Sequence, residues 1–593
     1  MIRAVRRLLL RIVLLAAAVL PAPAAEILTF ADLEVGMTGI GRTVWSGTQV
    51  EEFKIEIVAL LPNVLPQRNL ILVRCSGGPL AAAGVSQGMS GSPIYVRGRL
   101  IGALAYSWGF SKEPIAGVTP IAEMLAIPGP AVQAAARATL APSLEPAFSP
   151  ETLGGFFADL VRRSTSTAAS GMLRPLGLPL HAVGFQPEVL SQLGALIGAT
   201  AQAGGSPAPA ASPTTPPLVA GSAVGVQLAR GDLDLTAIGT VTSVEGDRVL
   251  AFGHPFINLG STAMPMTAAH VHLVLPAVDS SFKIASPLAE VGAIRQDRSS
   301  GLLGVVGDHP ALVPVRLELR SQGAEARTFR YDLVDDPLLT PVLLNYTVLS
   351  ILSSAEKDLG PLTLRLREGS SIQIKDHAAV ELDNFFGGDS AAPFAAGLSA
   401  YLLYMVMNNE HVSPEIEGVN LILETAPERR SARIEEVWAD RERVRAGETV
   451  RLSVMLRPYR GAPQQKMIDL PIPRETAPGR LMVRVGDGLT FARLETKGEP
   501  VNLAPRTFDQ LIWLINQIRA FDRVYANVSI LDEGVVVGGL PLPNLPPSIA
   551  QVMLMPQAGG SFARLRQRGL LEESVETDLA VTGYRKIALE VVP

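Results

Sequence analysis

The sequence predicts a mainly β protein with α/β additions and a C-terminal region like a β-sandwich. The chain has 593 residues, including 54 Gly and 46 Pro, and such frequent turn residues favour many short strands. Apolar and polar residues alternate with period two in several stretches, as in EEFKIEIVAL (51–60). Hydrophobic residues make up 48% and charged residues 18%, which is typical of a packed globular chain, and this length requires several domains.

The first 25 residues have the pattern of an export signal. Arginines precede a short apolar run, 12–20, and small residues follow it, so we expect cleavage after Ala24 or Ala25. An uncleaved anchor is the alternative, although the run is shorter than the roughly 20 residues that span a bilayer. The sequence therefore predicts an exported protein, periplasmic or extracellular, with no stable membrane span after cleavage.

Charge and cysteine content limit the partners and the covalent structure. Cleavage would remove four arginines and no acidic residue, and so lower the net charge from −5 to −9. That charge argues against nucleic acid or anionic lipid as the main partner. Cys75 is the only cysteine, so an intramolecular disulfide is excluded. We expect core burial to hold the exported protein together.

The pattern along the chain predicts five regions after the signal. Two β regions are separated by a segment of helical composition and a Pro/Ala/Ser-rich linker, AGGSPAPAASPTTPPLVAGS. The helical stretches are AVQAAARATL, PETLGGFFADLVRRS and PEVLSQLGALIGATAQ. The predicted regions are a serine-bearing β lobe (26–127), a helical segment with the linker (128–222), a histidine-bearing β lobe (223–334), an α/β segment (335–428) and the β-sandwich-like region (429–593).

A glycine-rich loop, GMSGSP (88–93), carries the first candidate catalytic residue and leads into an alternating apolar strand. A serine hydroxyl such as that of Ser90 becomes a nucleophile when a base removes its proton. Glycines let successive N–H groups converge on one point, and an acyl-transfer intermediate needs such donors. The alternative is an ordinary turn between strands.

His254 is the second candidate, in the stretch LTAIGTVTSVEGDRVLAFGHPF (235–256). This stretch predicts a hairpin that turns at Glu245-Gly246-Asp247. The imidazole follows the second strand and precedes a proline, a rigid position suited to a general base. A turn histidine without chemistry is the alternative. His270 and His272 share a strand face, but no third ligand stands out, so we expect no metal site and no cofactor.

Together the two loops resemble the SpoIVB peptidase family, the S55 serine peptidases. QGMSGSPI (87–94) and the following RGRLIGALAY match the family's serine motif, and IGTVTSVEGDRVLAFGHPF is similar to its histidine segment. VGAIRQDRSSGLLGVVG (291–307) is similar to a later family stretch. The resemblance implies a chymotrypsin-like double β-barrel, built here from two separated segments. It further implies Ser90 as nucleophile, His254 as general base, and the N–H groups of Gly88 and Ser90 as the oxyanion hole.

The chain departs from the family pattern in segment order and in the catalytic acid. The family's histidine segment comes first, whereas here the serine comes first, so the chain looks circularly permuted. Cys75 or Ser76 stands where the family has an aspartate before the serine, and Asn258 replaces an aspartate after the histidine. The aspartates of the histidine block that could substitute are Asp279, Asp297 and Asp308.

The sequence therefore leaves functions of different classes open. The first is an exported serine endopeptidase that acts on a protein or peptide. The second is a weak or inactive peptidase-fold protein that serves as an extracytoplasmic binding or scaffold module, which the large C-terminal half favours. A metal-dependent hydrolase is the third. The sequence does not indicate the oligomeric state, the substrate or the cleavage preference.

Overall fold

The computed structural model describes residues 26–66, 68–108, 111–129, 153, 155–157, 159–160, 174–203, 215–355, 362–498, 505–537, 540–542, 545–555 and 562–593. The protein is mainly β, with 51% strand and 18% helix, which confirms the predicted class. The signal, the stretch AVQAAARATL, most of PETLGGFFADLVRRS and residues 204–214 of the linker lie outside the described residues. The predictions made for them, and the predicted domain boundaries, stay predictions.

The N-terminal lobe contains a closed six-stranded barrel, which we call the serine barrel. Its elements are a 3-10 turn (Phe30–Asp32), β1 (Thr38–Val44), β2 (Val50–Leu65), β3 (Arg68–Ser76), α1 (Leu80–Ala83), β4 (Pro93–Val96), β5 (Arg99–Ser107), β6 (Ile115–Pro120), α2 (Ile121–Leu125) and β7 (Arg174–Pro175). The pairing runs β4-β1-β2-β3-β6-β5, and β5 pairs again with β4. That last pairing removes the free edges of the sheet, and β7 lies outside the ring beside β5.

The second lobe contains another closed ring, the histidine barrel. Its elements are β8 (Pro179–Val183), α3 (Pro187–Ile197), β9 (Thr200–Ala203), β10 (Ala223–Gly231), β11 (Asp234–Glu245), β12 (Arg248–Ala251), β13 (Gly260–Leu275), β14 (Phe282–Arg298), β15 (Gly301–Val306), β16 (Leu312–Ser321) and β17 (Arg327–Val334). The ring is β10-β13-β14-β15-β12-β11, and β11 returns to β10. The predicted double β-barrel arrangement is therefore confirmed, as is the hairpin, because Glu245 pairs with Arg248 across its turn.

The α/β segment extends the sheet of the histidine barrel. Its elements are α4 (Leu339–Ala355), β18 (Leu362–Leu366), β19 (Ser371–Ile374), β20 (Val380–Glu381), β21 (Asn384–Gly388), α5 (Ala391–Met407) and β22 (Ile416–Ala426). Strand β22 runs parallel to β16. Helix α5 is buried along nearly all of its length, which explains its wholly apolar sequence. None of the helices in the described ranges is long and apolar enough to cross a membrane.

The C-terminal region packs two sheets around a separate apolar core. Its elements are β23 (Ser431–Ala439), β24 (Arg443–Arg445), β25 (Thr449–Pro458), β26 (Gln464–Pro471), β27 (Gly479–Asp487), α6 (Gly488–Gly498), α7 (Phe508–Asn516), β28 (Arg523–Val537), β29 (Leu540–Leu542), α8 (Pro547–Met553), β30 (Phe562–Glu576), β31 (Ala580–Thr582) and β32 (Tyr584–Val592). One sheet is β26-β25-β23-β31, and the other is centred on β32-β27-β28. This arrangement confirms the β-sandwich-like prediction.

The segment between the barrels differs from its helical prediction. PEVLSQLGALIGATAQ is helical only over Pro187–Ile197, because Gly198 adopts the left-handed conformation with φ of 70° and ends the helix. The following residues form β9 beside β8, and β8 pairs with β11. Part of the predicted helical segment therefore belongs to the sheet of the histidine barrel.

Replacing Gly41 with alanine should lower the free energy of unfolding of the serine barrel by about 1–3 kcal/mol. An added Cβ would lie 2.2 Å from the ring of Phe53, a buried side chain that cannot move into solvent. Urea denaturation followed by circular dichroism measures the change. Gly129→Ala is the control, because no atom of the described residues lies within 4 Å of its added methyl group. Equal stability of the Gly41 variant and the wild type would contradict this account of the packing.

Candidate active site

The serine loop (residues 87–92) is held against β11 of the histidine barrel by three hydrogen bonds. The carbonyl oxygen of Ser90 accepts from the Thr240 N–H at 2.8 Å. The hydroxyls of Thr240 and Thr242 donate to the carbonyl oxygens of Gly88 and Gly91, at 2.9 and 2.8 Å. Residues two apart in a strand share a face, so both threonines point at the loop. The two separated parts of the chain therefore meet at the predicted motifs.

Gly91 lies at a close contact between the two barrels. Its φ is +93°, in the left-handed region that favours glycine. A Cβ at this position would lie 2.0 Å from the carbonyl oxygen of Thr240 and 2.5 Å from the nitrogen of Phe252. Any side chain would push the serine loop off the histidine barrel. This contact gives a physical reason for the second glycine of GMSG.

The histidine loop (residues 252–259) is embedded in the serine barrel from the other side. The Thr119 hydroxyl donates to the carbonyl oxygen of Gly253 at 2.6 Å. A Cβ on Gly253 would lie 2.9 Å from that of Ala103. Phe252 has a φ of 70°, which is a strained conformation for a bulky residue. The Phe252 ring packs directly on Gly239. A Cβ at Gly239 would lie 2.4 Å from that ring, so position 239 has no room for a side chain.

The two predicted catalytic side chains are buried at this interface. Ser90 is 0% exposed and His254 is 2% exposed. Within the described part of the chain, neither Ser90 Oγ nor His254 Nε2 has a hydrogen-bond partner. The two atoms are therefore not hydrogen-bonded to each other in this closed arrangement. Such bonds are often long before substrate binds.

The imidazole of His254 is held in one tautomer by its own loop. Nδ1 lies 2.7 Å from the carbonyl oxygen of Pro255, and a carbonyl can only accept, so Nδ1 carries the hydrogen. Nε2 then keeps the lone pair that a general base uses. Burial lowers the pKa of His254 to about 4, and the main chain of Pro255 and Leu176 offsets only part of that effect. The ring is therefore neutral at pH 7.

The two N–H groups predicted for the oxyanion hole have no acceptor among the described residues. They belong to Gly88 and Ser90. The neighbouring Gly91 N–H, in contrast, donates to the carbonyl oxygen of Leu104 at 2.7 Å. Unpaired main-chain donors are rare in protein interiors. The free pair is compatible with the predicted role, which stays a prediction.

Of the candidate acids, only Asp297 contacts the histidine loop. Asp308 lies instead in an ion pair with Arg295, with oxygen–nitrogen distances of 2.5 and 2.7 Å, and Asp279 is exposed. Cys75 lies in the core of the serine barrel, and burial raises its pKa to about 12. It is a packed thiol and not a substitute acid.

Asp297 does not reach the imidazole directly. Its carboxylate accepts the N–H groups of Phe256, Ile257 and Leu259 at 2.8, 2.9 and 3.0 Å. Complete burial raises the pKa of Asp297, while these bonds and one from the Asn258 N–H act in the opposite direction. The carboxylate therefore shapes the loop that follows His254.

A buried lysine that the sequence analysis did not single out lies beside the serine loop. The carbon chain of Lys283 packs on Gly88, where a Cβ would lie 3.2 Å from it. Its main-chain N–H donates to the Gln87 carbonyl oxygen at 3.0 Å, and its Nζ lies 2.7 Å from Thr43 Oγ1. Burial lowers the pKa of Lys283 from 10.5 to about 7. The sequence gives little signal, because a lysine in an alternating strand usually faces water.

The main chain around residues 174–178 covers the candidate site. The Leu176 N–H donates to the Ala105 carbonyl oxygen at 2.8 Å, and Leu176 packs in the core of the serine barrel. A Cβ on Gly177 would lie 2.8 Å from the side chain of Gln87. This covering segment thus contacts both candidate loops, through Leu176 at His254 and Gly177 at Gln87.

The histidines considered as metal ligands flank Val271, whose main chain pairs with that of Gly47 in the serine barrel. His270 and His272 have ring centroids 5.0 Å apart, and His272 Nε2 lies 2.8 Å from Ser286 Oγ. No group of three metal-binding side chains occurs in the ranges that the structure describes. The expectations about metals and cofactors stay untested.

Comparison with protein families identifies the serine-bearing segment. The family model of the SpoIVB peptidase S55 matches residues 21–125, which include the whole serine loop. This segment is similar to the SpoIVB peptidase S55 domain. The S55 match implies a serine peptidase with a protein substrate. His254 lies outside the matched residues, and the permuted order stays a prediction. No curated protein and no solved structure gave a significant match.

Replacing Lys283 with methionine should change how stability depends on pH. The folded wild type binds fewer protons than the unfolded chain between pH 7 and 10.5, so its stability rises with pH in that window. The variant lacks this dependence, and its stability relative to the wild type should fall by about 3–4 kcal/mol from pH 7 to pH 10. Urea denaturation across that range measures the difference. Lys54→Met, at an exposed site on β2, is the control. A pH-independent difference for the Lys283 variant would contradict the burial of its amine.

Proposed function

We propose that the chain is an exported serine endopeptidase of the S55 type, with Ser90 as nucleophile and His254 as general base. One observation carries the proposal: the S55 serine loop is hydrogen-bonded to β11, which belongs to the hairpin that ends at His254. The free Nε2 of a neutral imidazole adds to this support. Export rests on the signal pattern alone.

The proposed reaction is acyl transfer through a covalent intermediate. The Ser90 oxygen attacks the carbonyl carbon of a peptide bond while His254 Nε2 takes its proton. The negative charge on the former carbonyl oxygen is stabilised by the N–H groups of Gly88 and Ser90. The C–N bond then breaks, and the departing amine takes the proton from Nε2. Water, deprotonated by the same nitrogen, attacks the acyl carbon, the bond to the Ser90 oxygen breaks, and that oxygen takes the proton back from Nε2.

Substrate entry requires a change from the closed arrangement. Ser90 is fully buried, and attack requires the carbonyl carbon to come within about 3–3.5 Å of the serine oxygen. The covering segment, with Leu176 near His254 and Gly177 on Gln87, is the part of the chain that must shift. The proposal therefore includes an opening step before chemistry.

A fluorophosphonate probe should label the mature protein at Ser90 and should not label Ser90→Ala, because only an activated serine oxygen displaces fluoride. In-gel fluorescence and peptide mass spectrometry measure the product. Ser92→Ala is the matched control: this serine lies in the same loop but its hydroxyl donates to the Met89 carbonyl oxygen at 2.6 Å. Labelling of the Ser90 variant at an equal rate would rule out the assignment.

The rate of labelling should depend on pH through His254. Its pKa of about 4 means that the base form persists down to about pH 5, so the second-order rate constant should have its acid limb near pH 4. An ordinary histidine would give a limb near pH 6.5. Stopped-time labelling from pH 3.5 to 8 measures the profile. A limb near pH 6.5 would show that the imidazole which acts as base is solvated.

The alternative, a peptidase fold that binds without turnover, is favoured by one observation. Both candidate catalytic side chains are buried. A folded mature protein that stays unlabelled at long exposure and high probe concentration would support this alternative. Labelling at Ser90 would exclude it.

A further inference from the structure

A single peptide group lies between Asp297 and His254. The Phe256 N–H donates to Asp297 Oδ1 at 2.8 Å. The carbonyl of the same peptide group, that of Pro255, accepts from His254 Nδ1 at 2.7 Å. The carboxylate and the imidazole therefore bind the two ends of one planar, conjugated unit.

This arrangement can transmit charge as well as position. A carboxylate at the N–H end of a peptide repels electrons and pushes electron density toward the carbonyl oxygen, and hydrogen bonds in a chain strengthen one another. A more negative Pro255 oxygen favours the Nδ1–H tautomer and stabilises the imidazolium that forms when Nε2 takes a proton. An aspartate in a serine triad has the same two effects by direct contact.

The surroundings of Asp297 suit this role. It is fully buried, and its second oxygen accepts the N–H groups of Ile257 and Leu259. Asn258, between them, has a φ of 64°, which turns successive N–H groups toward one anion. Within the part of the chain that the structure describes, the hydrogen-bond partners of the carboxylate are all N–H donors, so none of them would accept a proton from a carboxylic acid.

We propose that Asp297 is a positioning residue of this site, which orients His254 and favours its charged form through the Pro255–Phe256 peptide group. The family resemblance would put an aspartate at Cys75 or Ser76 of the serine barrel, and Asp297 supplies a carboxylate from the histidine barrel instead. The consequence for turnover rests on the proposed function. The hydrogen-bonded connection between Asp297 and His254 is independent of the proposed function, because it affects only the tautomer and charge of the imidazole.

Asp297→Asn tests the proposal in the full mature chain. Loss of the charge should lower kcat, or the maximal rate of fluorophosphonate labelling, by about 10–100-fold. The KM for a peptide substrate should stay within about twofold, because Asp297 does not border the serine. Asp308→Asn is the matched control, since it removes a carboxylate of the same barrel that bonds Arg295 and not the loop. Equal rates for Asp297→Asn and the wild type, or equal losses in both variants, would overturn the proposal.

A second control separates loss of charge from loss of structure. Thr119→Val removes the hydrogen bond to Gly253 and so loosens the histidine loop without changing any charge. The acid limb of the pH–rate profile should move to lower pH in Asp297→Asn, because the imidazolium loses support, and should stay in place in Thr119→Val. The same displacement in both variants would reduce Asp297 to a structural residue.

Histidine NMR provides a readout that needs no catalysis. In protein labelled with ¹³C and ¹⁵N at histidine, the His254 signals, identified by their loss in His254→Gln, should show the Nδ1–H tautomer in the wild type and a tautomer mixture in Asp297→Asn. An unchanged tautomer in the folded variant would refute the relay even if the wild type is a peptidase. A changed tautomer in a protein that the probe never labels would support the relay and reject the proposed function.

If Asp297→Asn does not fold, a pH titration of the wild type by NMR tests the proposal without any variant. The side-chain carbonyl resonance of Asp297 reports its protonation directly. The His254 nitrogen resonances should then shift with the same pH midpoint as Asp297, in addition to their own titration. A His254 signal that does not respond when Asp297 takes a proton would overturn the proposal.

Discussion

Docking of the serine loop on β11 is the interaction on which the candidate site depends. Each of its three hydrogen bonds contributes only about 1 kcal/mol net, but all three are buried. Separation of the barrels without water entry would leave three carbonyl oxygens, two hydroxyls and one N–H group unpaired, at about 1–3 kcal/mol each. Gly91 permits this docking because a Cβ would lie 2.0 Å from the Thr240 carbonyl oxygen. Sequence conservation is not needed to see why the loop carries glycine there.

The interface also concentrates ionisable groups that a stable core would avoid. His254, Lys283 and Asp297 are each buried, and burial disfavours the charged form of all three. Interiors that keep such groups are candidates for functional sites, because packing apolar residues there would give a more stable fold. Lys283 is the least explained of the three. It contacts the serine loop through Gly88 and Gln87, and among the described residues its ammonium group hydrogen-bonds only to Thr43.

The local features of the site could be predicted from the sequence, and the long-range ones could not. GMSGSP and GHPF indicate their own turns, because glycine and proline restrict the backbone locally. The hairpin at Gly246 follows from alternation on both sides of a turn. Asp297 was one of three candidate acids, and only the register of β14 against the histidine loop separates it from Asp308. The burial of the Lys283 amine could not be predicted, because it results from the packing of the two barrels and not from the local sequence.

The fold as a whole shows the same limit. Strand patterns predict β lobes, but alternation does not reveal that β10 pairs with both β11 and β13 and so closes a ring. The α/β segment looked separate in sequence, whereas its strand β22 lies beside β16 in the same sheet. Such pairings join residues that are far apart in the chain. The period-two alternation of a strand is the same whichever strand it pairs with, so it does not identify the partner strand.

The covering segment links closure of the site to the integrity of both barrels. Leu176 belongs to the core of the serine barrel and Leu178 to that of the histidine barrel, with Gly177 alone between them. Two residues of extended chain reach only about 7 Å, so the barrels cannot move apart here without withdrawing one leucine from its core. Withdrawing a buried leucine costs on the order of 2 kcal/mol, which is small beside the loss of the whole interface. Peeling away of this segment is therefore a less costly route to Ser90 than a hinge motion of the two barrels, and it leaves the hydrogen bonds between the serine loop and β11 intact.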